Sequence, residues 1–229
     1  MKGIKNYILI GTTALTLFFN STFSLNNEQI QLKAYQNYFN NVYKSQSYSK
    51  MSRRILTSTI FNYEDKEDKS YYIGVAHGFD GEGSTTILTN EINDDNLEAK
   101  VDKYLSEIDI SLSIGEKDKI IADKIDMISY KELIPGEEAY LVGYPAGDSR
   151  CVKKTNISGT YKIGNIIYVS IDEPVVGGVS GSPVFVERGG KLVLAGIVSR
   201  YNDKQLTSLA VPTDYFQEKT ICLEDKCEP

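Results

Sequence analysis

The chain holds 229 residues with 25 Lys and Arg against 31 Asp and Glu, a formal net charge of −6. It has no basic stripe, which excludes nucleic acid as a partner and leaves solubility as the plain reading of its acidity. One histidine and three cysteines without zinc spacing exclude a metal site, and no cofactor is expected.

The start, Met1-Lys2-Gly3-Ile4-Lys5, is positive, and the chain is apolar from Tyr7 to Phe19, with small residues at Thr22 and Ser24. This reads as a secretory signal peptide over 1–24, because the apolar run is shorter than the ~18 residues a membrane span needs. Residues 25–229 are then expected to be one secreted or periplasmic domain, monomeric and without a stable membrane anchor. Apolar positions at Ile30, Leu32, Tyr35, Tyr38, Phe39 and Val42 follow a helical spacing and predict an N-terminal helix over 26–45.

After it the texture changes to short β-rich runs broken by Gly, Asp and Asn. Strands are expected at Tyr71–Ala76, Thr85–Thr89, Ile108–Ile114, Ala139–Val142, Ile166–Ile171, Pro183–Val186 and Leu192–Ser199. Many short strands with turns between them indicate an all-β sandwich or barrel. The charged run from Glu64 to Lys69 reads as an exposed hairpin loop. A short C-terminal helix is expected from Thr213 to Lys219. In an exported protein Cys222 and Cys227 can close a short disulfide loop, and Cys151 is left over as a buried small hydrophobe.

The chemistry concentrates in Gly178-Val179-Ser180-Gly181-Ser182-Pro183. Two glycines flank Ser180 and allow a turn that aims the amides of Gly178 and Ser180 at one point, as an oxyanion hole requires. A serine needs a base to become a nucleophile, and His77 is the only histidine in the chain. The stretch does not satisfy G-x-S-x-G, because Ser182 stands at the last position, so an α/β-hydrolase elbow is not indicated.

Four ordered segments carry a resemblance. Tyr72-Ile73-Gly74-Val75-Ala76-His77 is followed by Ile108-Asp109-Ile110-Ser111-Leu112, then Gly143-Tyr144-Pro145, then Gly178–Pro183 with Leu194–Ser199 behind it. Over residues 50–219 the chain resembles the trypsin-like serine peptidases, and within them the bacterial glutamyl-endopeptidase and Deg branch. The resemblance implies two packed antiparallel β-barrels of the chymotrypsin type, the first over about 48–120 and the second over about 125–219. It implies a triad of His77, Asp109 and Ser180, an oxyanion hole of Gly178 and Ser180, and a protein or peptide substrate cleaved through an acyl-enzyme. Asp102 competes for the carboxylate role; the apolar flanks of Asp109 favour it, because a triad carboxylate is buried.

The resemblance puts the substrate pocket at Pro174, Val175, Ser199, Arg200 and Tyr201, suited to a small or medium apolar side chain. Without a second histidine, glutamyl specificity does not carry over. Val179 stands where many members carry an Asp or Asn; in zymogen-type members that Asp pairs with a newly cut amino terminus, and activity here is expected to be independent of such a salt bridge. Gly78 replaces the cysteine that follows the histidine in animal members. Two other functions compete with an endopeptidase: a catalytically silent pseudopeptidase serving as a binding module, and an esterase using the same triad.

Overall fold

The computed structural model describes residues 35–218, apart from 51–52, 93–95, 118, 121, 123 and 175. The expected signal peptide and the Cys222–Cys227 pair lie outside the described residues.

A short helix, α1 (Gln36–Asn40), precedes β1 (Val42–Ser49). The helix expected over 26–45 is therefore corrected: its described part is five residues long, and from Val42 the chain is strand. The cause lies in what β1 buries. Tyr43, Ser45, Ser47 and Ser49 point inward with a period of two, and β1 pairs with β2 along its whole length, from Val42 against Phe61 to Ser49 against Arg54. The inward serines are satisfied by hydrogen bonds such as Ser45 Oγ to Thr86 Oγ1 at 2.7 Å, so the buried face carries no hydrophobic signature.

Five further strands complete the first barrel: β2 (Arg54–Lys66), β3 (Lys69–Gly74), β4 (Thr85–Thr89), β5 (Leu97–Leu105) and β6 (Ile110–Glu116). The second barrel comprises β7 (Glu138–Gly143), β8 (Cys151–Ile163), β9 (Ile166–Ile171), β10 (Pro183–Arg188), β11 (Lys191–Asn202) and β12 (Thr207–Pro212). Both barrels are closed and antiparallel, and they share one strand order. The first runs β1-β2-β3-β6-β5-β4 and the second β7-β8-β9-β12-β11-β10. Closure removes every exposed sheet edge along the paired segments.

The charged run from Glu64 forms the end of a hairpin, exposed from Lys66 to Lys69. β2 and β3 continue through it to a turn at Glu67 and Asp68, and Asp65 accepts from Asn62 Nδ2, Ser70 Oγ and the Ala122 amide. At the other end, Thr213–Tyr215 forms a 3-10 turn at the start of the expected C-terminal helix, whose end at Lys219 lies outside the described residues.

Each barrel has its own core. Tyr43, Ile60, Tyr72, Leu88 and Val101 fill the first, and Val169, Ile171, Val184, Ala195 and Val198 fill the second. Between them Phe61 of β2 meets Phe185 of β10 edge to face, with ring centroids 5.3 Å apart. Phe39 packs on the same Phe185 ring at 6.5 Å. Burying each such ring contributes roughly 1.5–3 kcal/mol, enough to fix how β2 meets the second barrel.

Candidate active site

β3 ends at Gly74, and a 3-10 turn, Ala76–Gly78, carries His77. The turn is fixed to Asp109 by backbone and side chain alike. The Ala76 amide donates to the Asp109 carbonyl at 3.2 Å, and the His77 amide to Asp109 Oδ1 at 3.0 Å. The ring nitrogen Nδ1 of His77 lies 2.8 Å from Oδ2 and 3.0 Å from Oδ1. A carboxylate only accepts, so this geometry puts a ring proton on Nδ1.

Asp109 reaches that position with φ of +60°, a left-handed conformation that aspartate tolerates better than most side chains. A β-bulge at Val198/Arg200 interrupts the pairing of β11 with β12, and Ser199 on it donates to Asp109 Oδ2 at 2.5 Å. Burial pushes the Asp109 carboxyl up. The hydrogen bonds from His77 and Ser199, with attraction to His77, outweigh burial and hold its pKa below the ordinary aspartate value. Asp102 is exposed on β5 and makes no bond to His77.

Ser180 sits half-buried in the turn before β10. Its carbonyl accepts the Thr59 amide of β2 at 2.7 Å, and the Gly181 amide donates to Val198 at 2.7 Å. Thr59 Oγ1 donates to the Gly178 carbonyl at 2.9 Å. Gly181 has φ of +90°, and a Cβ there would overlap the Thr59 carbonyl oxygen. Ser58, the residue before Thr59, packs on the histidine turn so closely that a Cβ at Gly78 would lie 2.8 Å from its Oγ. Two successive residues of β2 thus touch the histidine turn and the serine turn. Among the described residues the amides of Gly178 and Ser180 donate to no protein acceptor.

The residues expected to form the substrate pocket have different surroundings. Ser199 is engaged with Asp109, and the exposed Arg200 guanidinium lies 5.5 Å from the Tyr168 ring centroid. Tyr201 is 37% exposed, and Val175 lies outside the described residues. Pro174 instead lines a cavity of about 190 Å³ with Leu141, Gly143, Cys151, Val176 and Val179. Cys151 is a free, exposed thiol on β8, which corrects its reading as a buried hydrophobe: only Thr155 and Ile157 are buried on that strand.

Thr59 has no signature in the sequence, because it acts on the serine turn through its amide and hydroxyl. Ser199 is legible as a cleft residue, but its bond to Asp109 depends on a bulge that no residue pattern announces. Among the described residues there is no cluster of three or more His, Cys, Asp or Glu able to hold a metal, and no helix long and apolar enough to cross a membrane.

No family model matches the chain, and neither does any curated protein. Solved structures do. The active form of the Rv3671c protease from M. tuberculosis is similar with a TM-score of 0.67 at 17% identity, over 82% of each chain. Its inactive form gives 0.63 at 17% identity, over 82% of this chain and 91% of that one. The HtrA-type protease AlgW, solved with a tripeptide, gives 0.67 at 14% identity, over 86% of this chain and 64% of AlgW. At such identities the likeness carries the fold, and the fold is the chymotrypsin-like pair of six-stranded barrels.

Proposed function

We propose that the chain is an exported serine endopeptidase that cleaves peptide bonds through Ser180, His77 and Asp109. The observation that carries this reading is the two-oxygen contact of Asp109 with His77 Nδ1, at 2.8 and 3.0 Å, on a fold shared with serine proteases. When the ring is neutral it leaves Nε2 as the basic nitrogen, the state a general base must hold before the reaction begins.

In this mechanism Ser180 Oγ attacks the substrate carbonyl while His77 Nε2 takes its proton. The developing imidazolium is stabilised by Asp109, whose charge is maintained by Ser199. The free amides of Gly178 and Ser180 receive the oxyanion. His77 then returns the proton to the leaving amine, and water releases the acyl group by the same steps in reverse. The product is a carboxylate and an amine, with no cofactor required. Export is proposed from residues 1–24.

A fluorophosphonate probe tests the reading directly. The purified protein should label, and labelling should vanish in Ser180→Ala. Peptide turnover by the unlabelled protein, blocked once the probe has reacted, identifies an endopeptidase, and turnover of esters alone an esterase. A folded protein that takes no label is a binding module, and the proposal is then wrong.

A further inference from the structure

We propose that the turn Tyr144–Gly147 is a latch for the oxyanion hole, with the Ala146 amide as its catch. This rests on the peptidase reading above. The Ala146 amide donates to the Gly177 carbonyl at 2.6 Å. In a trans peptide the carbonyl and the next N–H point in opposite directions. Holding the Gly177 carbonyl against the turn therefore turns the Gly178 N–H away from it. That N–H has no acceptor among the described residues, as a donor kept for an oxyanion should be.

The turn itself is strained in the place where it grips. Ala146 has φ of 57° and ψ of 13°, a left-handed conformation rarely adopted by residues other than glycine, aspartate and asparagine. Such outliers persist only where the surroundings over-determine them. Here the surroundings are β1 and β2 of the opposite barrel. Tyr144 donates its amide to Thr59 Oγ1 at 3.2 Å and its phenol to the Val42 carbonyl at 3.2 Å, and Lys44 Nζ donates to the Gly147 carbonyl at 3.3 Å. Gly147 N closes the turn on the Tyr144 carbonyl at 2.9 Å.

Contact with the serine turn is too close for any side chain. A Cβ at Gly178 would collide with the Tyr144 carbonyl and lie 2.7 Å from the Gly147 nitrogen. Rotating the Gly177–Gly178 peptide by half a turn would break the 2.6 Å bond and set the Gly178 N–H against the Ala146 N–H, donor facing donor. The latch therefore keeps the hole formed before substrate arrives. Val179 cannot do this through a salt bridge, since its side chain is apolar and buried.

Ala146→Pro removes the catch, Ala146→Val disfavours the left-handed conformation, and Ala146→Gly retains both amide and conformation. The wild type and the three variants are compared by kcat, KM, melting temperature and affinity for a peptide aldehyde, which binds as a tetrahedral oxyanion. Expected are a fall in kcat and aldehyde affinity of about 100-fold for Ala146→Pro and Ala146→Val, with KM within threefold and Ala146→Gly close to wild type. If Ala146→Pro does not fold, Ala146→Val decides. An active wild type whose folded Val or Pro variant keeps kcat within threefold overturns the latch alone. So does a loss shared by Ala146→Gly, which would mark a structural role. An inert wild type overturns both the latch and the peptidase reading.

Discussion

Ser199 Oγ and His77 Nδ1 share one oxygen of Asp109, at 2.5 and 2.8 Å. The carboxylate is thus gripped from both barrels, by a turn after β3 and by a bulge in β11. Removing the hydroxyl in Ser199→Ala leaves a buried carboxylate with one fewer donor. A hydrogen bond to a charged group contributes about 1.5–3 kcal/mol, so kcat/KM should fall by roughly tenfold or more. Steady-state kinetics with a melting curve checks this; unchanged kinetics would detach Ser199 from the reaction.

Asp109→Asn should be far more severe. An amide that donates to Nδ1 selects the opposite tautomer and puts the proton on Nε2, which costs kcat about 10⁴-fold in a triad of this type. Aldehyde binding to the variant should survive better than turnover, because the oxyanion donors are untouched.

The same carboxylate should leave a mark on acid stability. Its folded pKa is held below the ordinary value of 3.8, with burial opposed by the His77 and Ser199 bonds. A depressed folded pKa gives a contribution that is complete above the unfolded value and is lost as pH falls through the folded one. The stability gap between wild type and Asp109→Asn should therefore narrow below about pH 4. Urea unfolding at pH 7, 4 and 3 measures it, and a gap that widens in acid would contradict the geometry.

Glycine substitutions should divide by position. Gly181→Ala must overlap the Thr59 carbonyl at φ of +90°, and the backbone it strikes cannot step aside. A loss of about 3 kcal/mol with abolished activity is expected. Gly164→Ala, at φ of +58° with nothing within 4 Å, should cost only about 1 kcal/mol and spare activity. Denaturant titration of the two variants tests the contrast.

Thiol counting tests the cysteines together. Cys151 is exposed and should react with a thiol reagent in the native protein. If Cys222 and Cys227 pair after export, the native and denatured protein should each titrate one thiol; three in the denatured protein would exclude the disulfide.

What the sequence makes legible follows what each element buries. β4 and β9 are read with their observed bounds, Thr85–Thr89 and Ile166–Ile171. β1 escapes because its inward face is serine, satisfied by partners 31 and 41 residues away. β8 escapes because it is mostly exposed, so its alternation has almost nothing apolar to alternate. At the site, His77 and Asp109 are legible as residue types in an order, and their contact is a fact of the fold. Thr59 and Ala146 are not legible at all. Ala146 acts through its amide and backbone angles, which any residue type brings, and Thr59 through its amide and a hydroxyl that every threonine carries; only the assembled barrels aim them.

The two barrels repeat one strand order, and the residues of the proposed reaction centre are divided between them. The histidine and its carboxylate come from residues before Glu116, and the serine with the grip on that carboxylate from residues after Asp172. During synthesis the histidine and its carboxylate are made early, and Ser199, which grips that carboxylate, is the last of these residues to emerge. A truncated chain ending before it would carry His77, Asp109 and Ser180 without the hydroxyl that grips Asp109. The grip on the carboxylate is thereby completed only when β11 has joined the second barrel.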